Sequence, residues 1–89
     1  MEKSAAETVA LQALRFIVAE DDRLSAFLNI TGLDEAALMS GAGDSSFLAG
    51  ILDYILASEP LLIEFCQEET IPFDMPLRAR NAFPGGSFE

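Results

Sequence analysis

The amino-acid sequence predicts an all-α fold, a compact bundle of five to six helices. Apolar residues recur at spacings of three and four along most of the chain, which puts side chains on one face of a helix. The alternation typical of strands does not extend beyond a few residues. Glycine and proline concentrate in four links, at residues 32, 41–43, 72–76 and 84–86, so the helices are expected between these links.

The first predicted helix covers about residues 5–19. Its apolar spacing predicts a core-facing side that includes Val9, Ala13, Phe16 and Ile17. A second helix follows, with Asp21 or Asp22 as its N-cap, because a carboxylate at that position accepts a hydrogen bond from a free backbone N–H of the first turn.

The stretch from Leu28 to Leu38 forms a corner that leads into a third, short helix. Gly32 suits the left-handed backbone position after a helix, and Asp34 suits the N-cap of the next one. Leu33 and Leu38 occupy the positions at which apolar side chains meet across a helix start. A DNA-binding corner needs basic or amide side chains on the second helix, which here carries two acids and no base. The corner therefore predicts helix packing.

The second half of the chain predicts three further helices. The third helix ends at Gly41, and Asp44 caps the fourth. Ser58 caps the fifth, with Pro60 in the first turn, where proline costs no hydrogen bond. Asp74 caps a short sixth helix.

The pattern of helix, acidic turn and helix occurs twice. Residues 16–29 align with residues 54–67 at a shift of 38. The equivalent positions include Phe16 with Tyr54, Ile17 with Ile55, Leu24 with Leu62, and Phe27 with Phe65. This pattern predicts two three-helix units, about 5–40 and 44–82, whose apolar sides meet about an approximate twofold axis. The predicted organisation is a single domain, 1–83, followed by a flexible tail, 84–89.

The charge balance excludes several classes of partner. The sequence has five Lys or Arg and fifteen Asp or Glu, and the resulting net charge of −10 repels nucleic acid and anionic membranes. The longest apolar run has ten residues and contains Asp53, which is short of the roughly 20 residues that span a bilayer. We find no pattern of a secretory signal, and a cytoplasmic protein is expected. A basic protein partner remains compatible with this charge.

Catalytic chemistry has few candidate residues. The sequence has no His, and its one Cys, Cys66, follows the pattern of a buried helix face. The acidic runs 20–22 and 68–69 are interpreted as compensation of a helix dipole and as solvated surface, respectively. The glycine-containing link at residues 41–46 lacks the lysine of a phosphate-binding loop. We therefore expect no enzyme, no metal site and no cofactor.

The fourth and fifth helices provide the predicted interaction surface. We define the α4–α5 surface as Gly50, Asp53, Ala57, Leu61, Ile63 and Glu64. Small and weakly polar residues on the fourth helix allow another helix to approach closely. The fifth helix is apolar almost all round its first two turns, so something is expected to cover it. One alternative is the C-terminal segment of this chain, through Phe73, Met75, Leu77 and Phe83, and the other is a second copy or a partner.

Two functions from different classes follow from these observations. The first is a protein-interaction module that binds itself or a basic partner through the α4–α5 surface. The second is a binder of a small apolar ligand or lipid chain, in a cleft between the two units.

The stretch "FIVAEDDRLSAFLNITGLDEAAL" resembles a small family of uncharacterised bacterial proteins of about this length. In these proteins a helix rich in Leu and Ala leads into an acidic turn, a helix with Leu and Phe, and a "TGLD"-like corner. The resemblance covers about residues 5–82 and implies a bacterial, all-helical protein. It implies no activity, ligand or functional residue, and the second corner, "TIPFDMP", departs from it, since Pro72 stands in place of the first corner's Gly.

Overall fold

The computed structural model describes residues 1–84, which form six α-helices and no strand. The helices, in chain order, are α1 Lys3–Val18, α2 Asp21–Thr31, α3 Glu35–Gly41, α4 Ser45–Leu56, α5 Glu59–Glu69 and α6 Met75–Asn81. The radius of gyration of 12.0 Å agrees with the roughly 12 Å expected for a compact chain of this length. The predicted all-α bundle is thus confirmed. The predicted tail falls almost entirely on residues 85–89, outside the described residues.

Three helix starts confirm the predicted caps. The Asp34 carboxylate accepts a hydrogen bond from Ala37 N at 2.8 Å, and that of Asp44 accepts one from Ser46 N at 2.9 Å. The Ser58 hydroxyl accepts a hydrogen bond from Leu61 N at 3.4 Å. Each bond satisfies a backbone N–H that the helix itself leaves free.

Two other starts differ from the prediction. The N-cap of α2 is Glu20 and not Asp21 or Asp22, and the Glu20 side chain makes no capping bond. Asp21 and Asp22 instead lie in the first turn, where negative charge offsets the helix dipole. Asp74 precedes α6 as predicted, but its backbone is already helical and its side chain makes no capping bond.

The second helix of each half ends in the same way. Both α2 and α5 have 11 residues and end at a left-handed residue, Gly32 with φ 76° and Thr70 with φ 57°. Glycine adopts this conformation without steric cost, whereas a β-branched threonine does so only under the constraint of its surroundings.

The hydrophobic core is centred on α1 and α4. These helices pack against each other, and α6 packs against both. Two ring contacts link the halves: Phe16 and Phe65 have centroids 5.3 Å apart, and Phe27 meets Tyr54 edge-on at 4.8 Å. The largest fully buried side chains are Phe16, Phe65, Ile17, Ile51, Leu52, Ile55 and Pro76.

The sequence offered the C-terminal segment as one possible cover for α5, but in the structure this segment packs elsewhere. α6 lies on α1 and α4, with Phe83 buried behind it. Phe73 is 53% exposed and Leu77 is 41% exposed. The remaining short helix, α3, forms no comparably extensive contact with any other helix and buries only Leu38.

Three arginines form ion pairs between helices, namely Arg15 with Glu69, Arg23 with Glu68, and Arg80 with Asp53. The last two pairs both have N–O distances of 2.6 Å. The interpretation of Glu68 and Glu69 as plain solvated surface is therefore wrong, because they connect α5 to α2 and α1. Their partners are 45 and 54 residues away in the chain, a separation at which local spacing predicts nothing.

Candidate functional site

The α4 part of the α4–α5 surface is only partly open. Gly50 and Ala57 are exposed, as predicted. Asp53 is half-buried, and its Oδ1 accepts a hydrogen bond from Arg80 Nε at 2.6 Å. This carboxylate therefore ties α4 to α6, and its charge is largely balanced within the fold.

The α5 part of the same surface exposes one large apolar side chain. Ile63 is 40% exposed, and Glu64 beside it is exposed. Leu61 is half-buried against the core, and Leu62 is buried within it. The run of apolar residues is thus divided, because two leucines turn inward and Ile63 alone turns toward solvent.

Gly50 borders a small apolar cleft between the end of α2 and α4. We call it the Gly50 cleft; it has a volume of about 140 Å³ and is lined by Phe27, Thr31, Leu33, Phe47, Gly50 and Ile51. A Cβ placed on Gly50 meets no heavy atom within 4 Å. Packing among residues 1–84 therefore does not require glycine there.

A larger apolar groove lies between α1 and α3, and the sequence analysis missed it. Its main part has a volume of about 290 Å³ and is lined by Leu11, Leu14, Arg15, Val18, Leu38, Met39 and Ala42. It continues toward the start of α2, where Val18, Leu24, Glu35, Leu38 and Met39 line it. We call the two parts together the α1–α3 groove.

Several large side chains of this groove are open to solvent. Met39 is 78% exposed, Leu11 is 44% exposed and Val18 is 41% exposed. A signal for this surface is present in the sequence, since Leu11, Leu14 and Val18 form a second apolar line on α1 beside the core-facing one. The pattern could not show that α3 leaves this line uncovered.

Cys66 has the properties of an inert thiol, as predicted. It is 7% exposed, and its Sγ lies 3.7 Å from the carbonyl oxygen of Pro72. Burial, and secondarily the negative charge of Asp74, raises the pKa of the Cys66 thiol. The thiol therefore stays protonated at neutral pH and is a poor nucleophile.

Metal-binding and membrane-spanning features can be examined over residues 1–84. Within this range no group of three or more Cys, Asp or Glu side chains is placed to hold a metal ion. No single helix in the same range is long and apolar enough to cross a membrane. α4 and α5 reach that length and composition only together, and the chain bends by 110° between them.

Comparison with known proteins identifies a family and no individual relative. Neither the curated proteins nor the solved structures give a significant match. One family model matches residues 3–86, which is nearly the whole chain, and this confirms the resemblance to a small family without an assigned activity. The chain therefore belongs to the family described as "Protein of unknown function (DUF3572)".

Proposed function

We propose that this protein is a non-enzymatic protein-interaction module and that the α1–α3 groove makes the contact. The observation that carries the proposal is the exposure of Leu11, Val18 and Met39 along one apolar groove. A protein with a net charge of −10 has many charged side chains with which to cover its surface. A continuous apolar surface left open under these conditions is typical of a binding site for another protein.

The α4–α5 surface is a second candidate for the same function. Its support is the exposure of Ile63 and the open space above Gly50, into which a partner side chain could project. This surface exposes one large apolar side chain, whereas the groove exposes three, and Asp53 is already paired with Arg80. We therefore place the main contact at the groove.

Volume and exposure together favour a protein partner over a small ligand. The Gly50 cleft lies between the two predicted units, where a ligand site was expected, but its 140 Å³ is well below the roughly 300 to 1,000 Å³ of small-molecule pockets. The two parts of the α1–α3 groove, with volumes of about 290 and 210 Å³, reach the lower part of that range, but Leu11, Val18 and Met39 leave it open to solvent. A small-molecule site buries most of its ligand, so an open apolar surface suits a protein segment better.

We also infer that the two halves are structural repeats about an approximate twofold axis. In support, the bounds of α2 and α5 differ by 38 residues, as do the left-handed residues Gly32 and Thr70. The same shift carries Phe16 to Tyr54 and Phe27 to Phe65. The observed ring pair Phe16–Phe65 is thereby carried onto the other observed pair, Tyr54–Phe27.

The third helices are where the two halves depart from each other. α3 and α6 both have seven residues, at a shift of 40, but only α6 packs against α1 and α4. In this interpretation the first unit exposes an apolar surface at its third helix because α3 does not close it.

Site-specific photo-crosslinking in the cells that produce the protein tests the proposed function. A photoreactive amino acid is placed at Met39, at Ile63 and at Ser25, an exposed polar position that serves as the matched control. We expect a protein adduct of defined mass from position 39 and none from position 25. The adduct should disappear when Leu11→Ser is added. Adducts from position 63 alone would move the contact to the α4–α5 surface, and equal labelling at all three positions would refute the module.

A further inference from the structure

We propose that the segment bound in the α1–α3 groove is a cationic amphipathic helix, with its Lys or Arg residues over a group of carboxylates at one end of the groove. This inference rests on the proposed function, because it assigns the chemistry of the partner at the same site.

The apolar line that α1 contributes to the groove is as long as two turns of a partner helix. Leu11, Leu14 and Val18 follow one another along α1 at spacings of three and four. Seven residues of helix extend over about 10 Å, or two turns. A partner helix that carries apolar side chains at positions i, i+4 and i+7 presents anchors over the same length. Met39 forms the opposite wall of the groove.

The groove is negative at its α2 end. We define the acidic end as Glu20, Asp21, Asp22, Asp34 and Glu35, all of which are exposed. Glu35 itself lines the groove beside Val18 and Leu24, which flank the α1–α2 corner in the chain. Over residues 1–84, none of these five carboxylates takes part in an ion pair.

The cations nearest to the groove in the chain are engaged elsewhere. Arg23 follows the acidic residues of the corner, but its guanidinium lies 3.8 Å over the Phe16 ring and reaches Glu68 at 2.6 Å. Arg15 lines the main part of the groove and not its continuation beside Glu35, and it pairs with Glu69. The groove is therefore polarised, since charge is balanced near Arg15 and unbalanced near Glu35.

Helix stability accounts for only part of the acidic end. Asp21, Asp22 and Glu35 lie in first turns, where they offset helix dipoles, and Asp34 caps α3. These roles do not require that the first turns of two helices line the same open apolar groove, as Leu24 and Glu35 do. A partner with cations at the matching end gains attraction from Glu35, which lines the groove, and from the carboxylates next to Leu24 and Glu35 in the chain, which increases the association rate and fixes its orientation. A second copy of this chain brings another ten negative charges and is disfavoured.

Fluorescence anisotropy with designed peptides tests this inference. The probe is a helical peptide with Leu at i, i+4 and i+7 and three Lys beyond one end. Its matched control has Glu in place of Lys. We expect the Lys peptide to bind, with an affinity that falls as salt rises, and the Glu peptide not to bind.

Variants of the intact protein separate the two contributions. Replacing three acidic-end charges, in Asp21→Asn/Asp22→Asn/Glu35→Gln, is expected to weaken binding about tenfold and to flatten its salt dependence. The control removes three charges outside both candidate surfaces, in Glu2→Gln/Glu7→Gln/Glu59→Gln, and should have a much smaller effect. Met39→Ser should weaken binding of the Lys peptide and leave the circular dichroism spectrum unchanged, since Met39 is exposed.

The outcomes distinguish this inference from the proposed function. If Met39→Ser weakens binding but the two triple variants behave alike, the groove remains the contact site and the cationic partner is refuted. If the Lys peptide does not bind, the inference fails, while crosslinking at position 39 continues to test the module separately. If light scattering shows a dimer that Met39→Ser dissociates, the occupant is a second copy and the inference is overturned.

Discussion

Arg23 connects α2 both to α1 and to α5. Its guanidinium lies 3.8 Å over the Phe16 ring, its Nη1 donates to the Phe16 carbonyl oxygen at 2.5 Å, and its Nη2 reaches Glu68 at 2.6 Å. Only 12% of the side chain is exposed. At the equivalent position of the second half the sequence has Leu61. The sequence shows this difference, but it does not show that the arginine packs inward, because both of its partners are on other helices.

Replacing Arg23 with Ala should destabilise the protein by about 2 kcal/mol. The variant loses a cation–π contact and a charge-assisted hydrogen bond to a backbone carbonyl. Arg23→Lys should recover only part of this loss, because a lysine ammonium lacks the planar, forked guanidinium that makes both contacts at once. Urea unfolding measures the effect. Arg78→Ala is the control and should change stability by less than about 0.5 kcal/mol. The Arg78 side chain is 57% exposed, and its pair with Asp74 has a long N–O distance of 3.9 Å. Equal effects of the two alanine variants would refute a structural role for Arg23.

Two glycines should respond to alanine in opposite directions. At Gly41 a Cβ would lie 2.5 Å from Cγ of the Phe47 ring, so the ring must move. We expect Gly41→Ala to destabilise by about 1 to 3 kcal/mol, as overpacking does. Gly50 lies inside α4 with open space around a Cβ, and Gly50→Ala should stabilise by about 1 kcal/mol through helix propensity. Urea unfolding of both variants measures these changes, and a shift of the same sign in both would contradict this account.

At the scale of helices, the sequence predicts local features well and the docking of α3 poorly. The caps Asp34, Asp44 and Ser58 were predictable, because each depends on a hydrogen bond within its own first turn. The end of α2 at Gly32 was predictable for the same reason. The α1–α3 groove was not predicted, since it depends on where α3 lies relative to α1, and Leu38 is the only buried residue that α3 contributes. Apolar spacing on α1 identifies a second line of residues but not whether another helix covers it.

Amides of α3 should exchange with solvent faster than those of α6. The helices have equal lengths of seven residues, so α6 is a matched control. α6 buries Pro76, Ala79 and Arg80, and opening it exposes core surface, whereas opening α3 exposes mainly Leu38. Hydrogen–deuterium exchange followed by mass spectrometry measures the two protection levels. Equal protection would show that α3 is held by contacts as strong as those of α6.

At the scale of the whole molecule, repulsion between negative charges opposes the compact fold, whereas ion pairs between helices stabilise it. The net charge is −10, and the excess carboxylates repel one another across a molecule whose radius of gyration is 12.0 Å. Three of the five cationic side chains form pairs between helices, which leaves the acidic end without cations of its own. Each pair has one largely buried partner, so salt screens it less than it screens the repulsion among exposed carboxylates, and we expect that repulsion to dominate the response to salt.

Thermal stability should therefore rise with ionic strength. Raising NaCl from about 0.01 M to about 0.15 M shortens the Debye length from roughly 30 Å to roughly 8 Å, which screens the repulsion. The midpoint of thermal unfolding, followed by circular dichroism, should increase by several degrees. The Asp21→Asn/Asp22→Asn/Glu35→Gln variant carries three fewer negative charges and should show a smaller increase. A midpoint that falls with salt would mean that the ion pairs outweigh the repulsion.

The contact between Gly41 and the Phe47 ring affects the shape of the α1–α3 groove, although neither residue lines it. Phe47 lines the Gly50 cleft and not the α1–α3 groove, yet its ring rests against the bare backbone of α3. A side chain at position 41 must displace this ring or α3 itself, and a displacement of α3 shifts the wall that Met39 provides. The shape of the groove therefore depends on a position that does not line it.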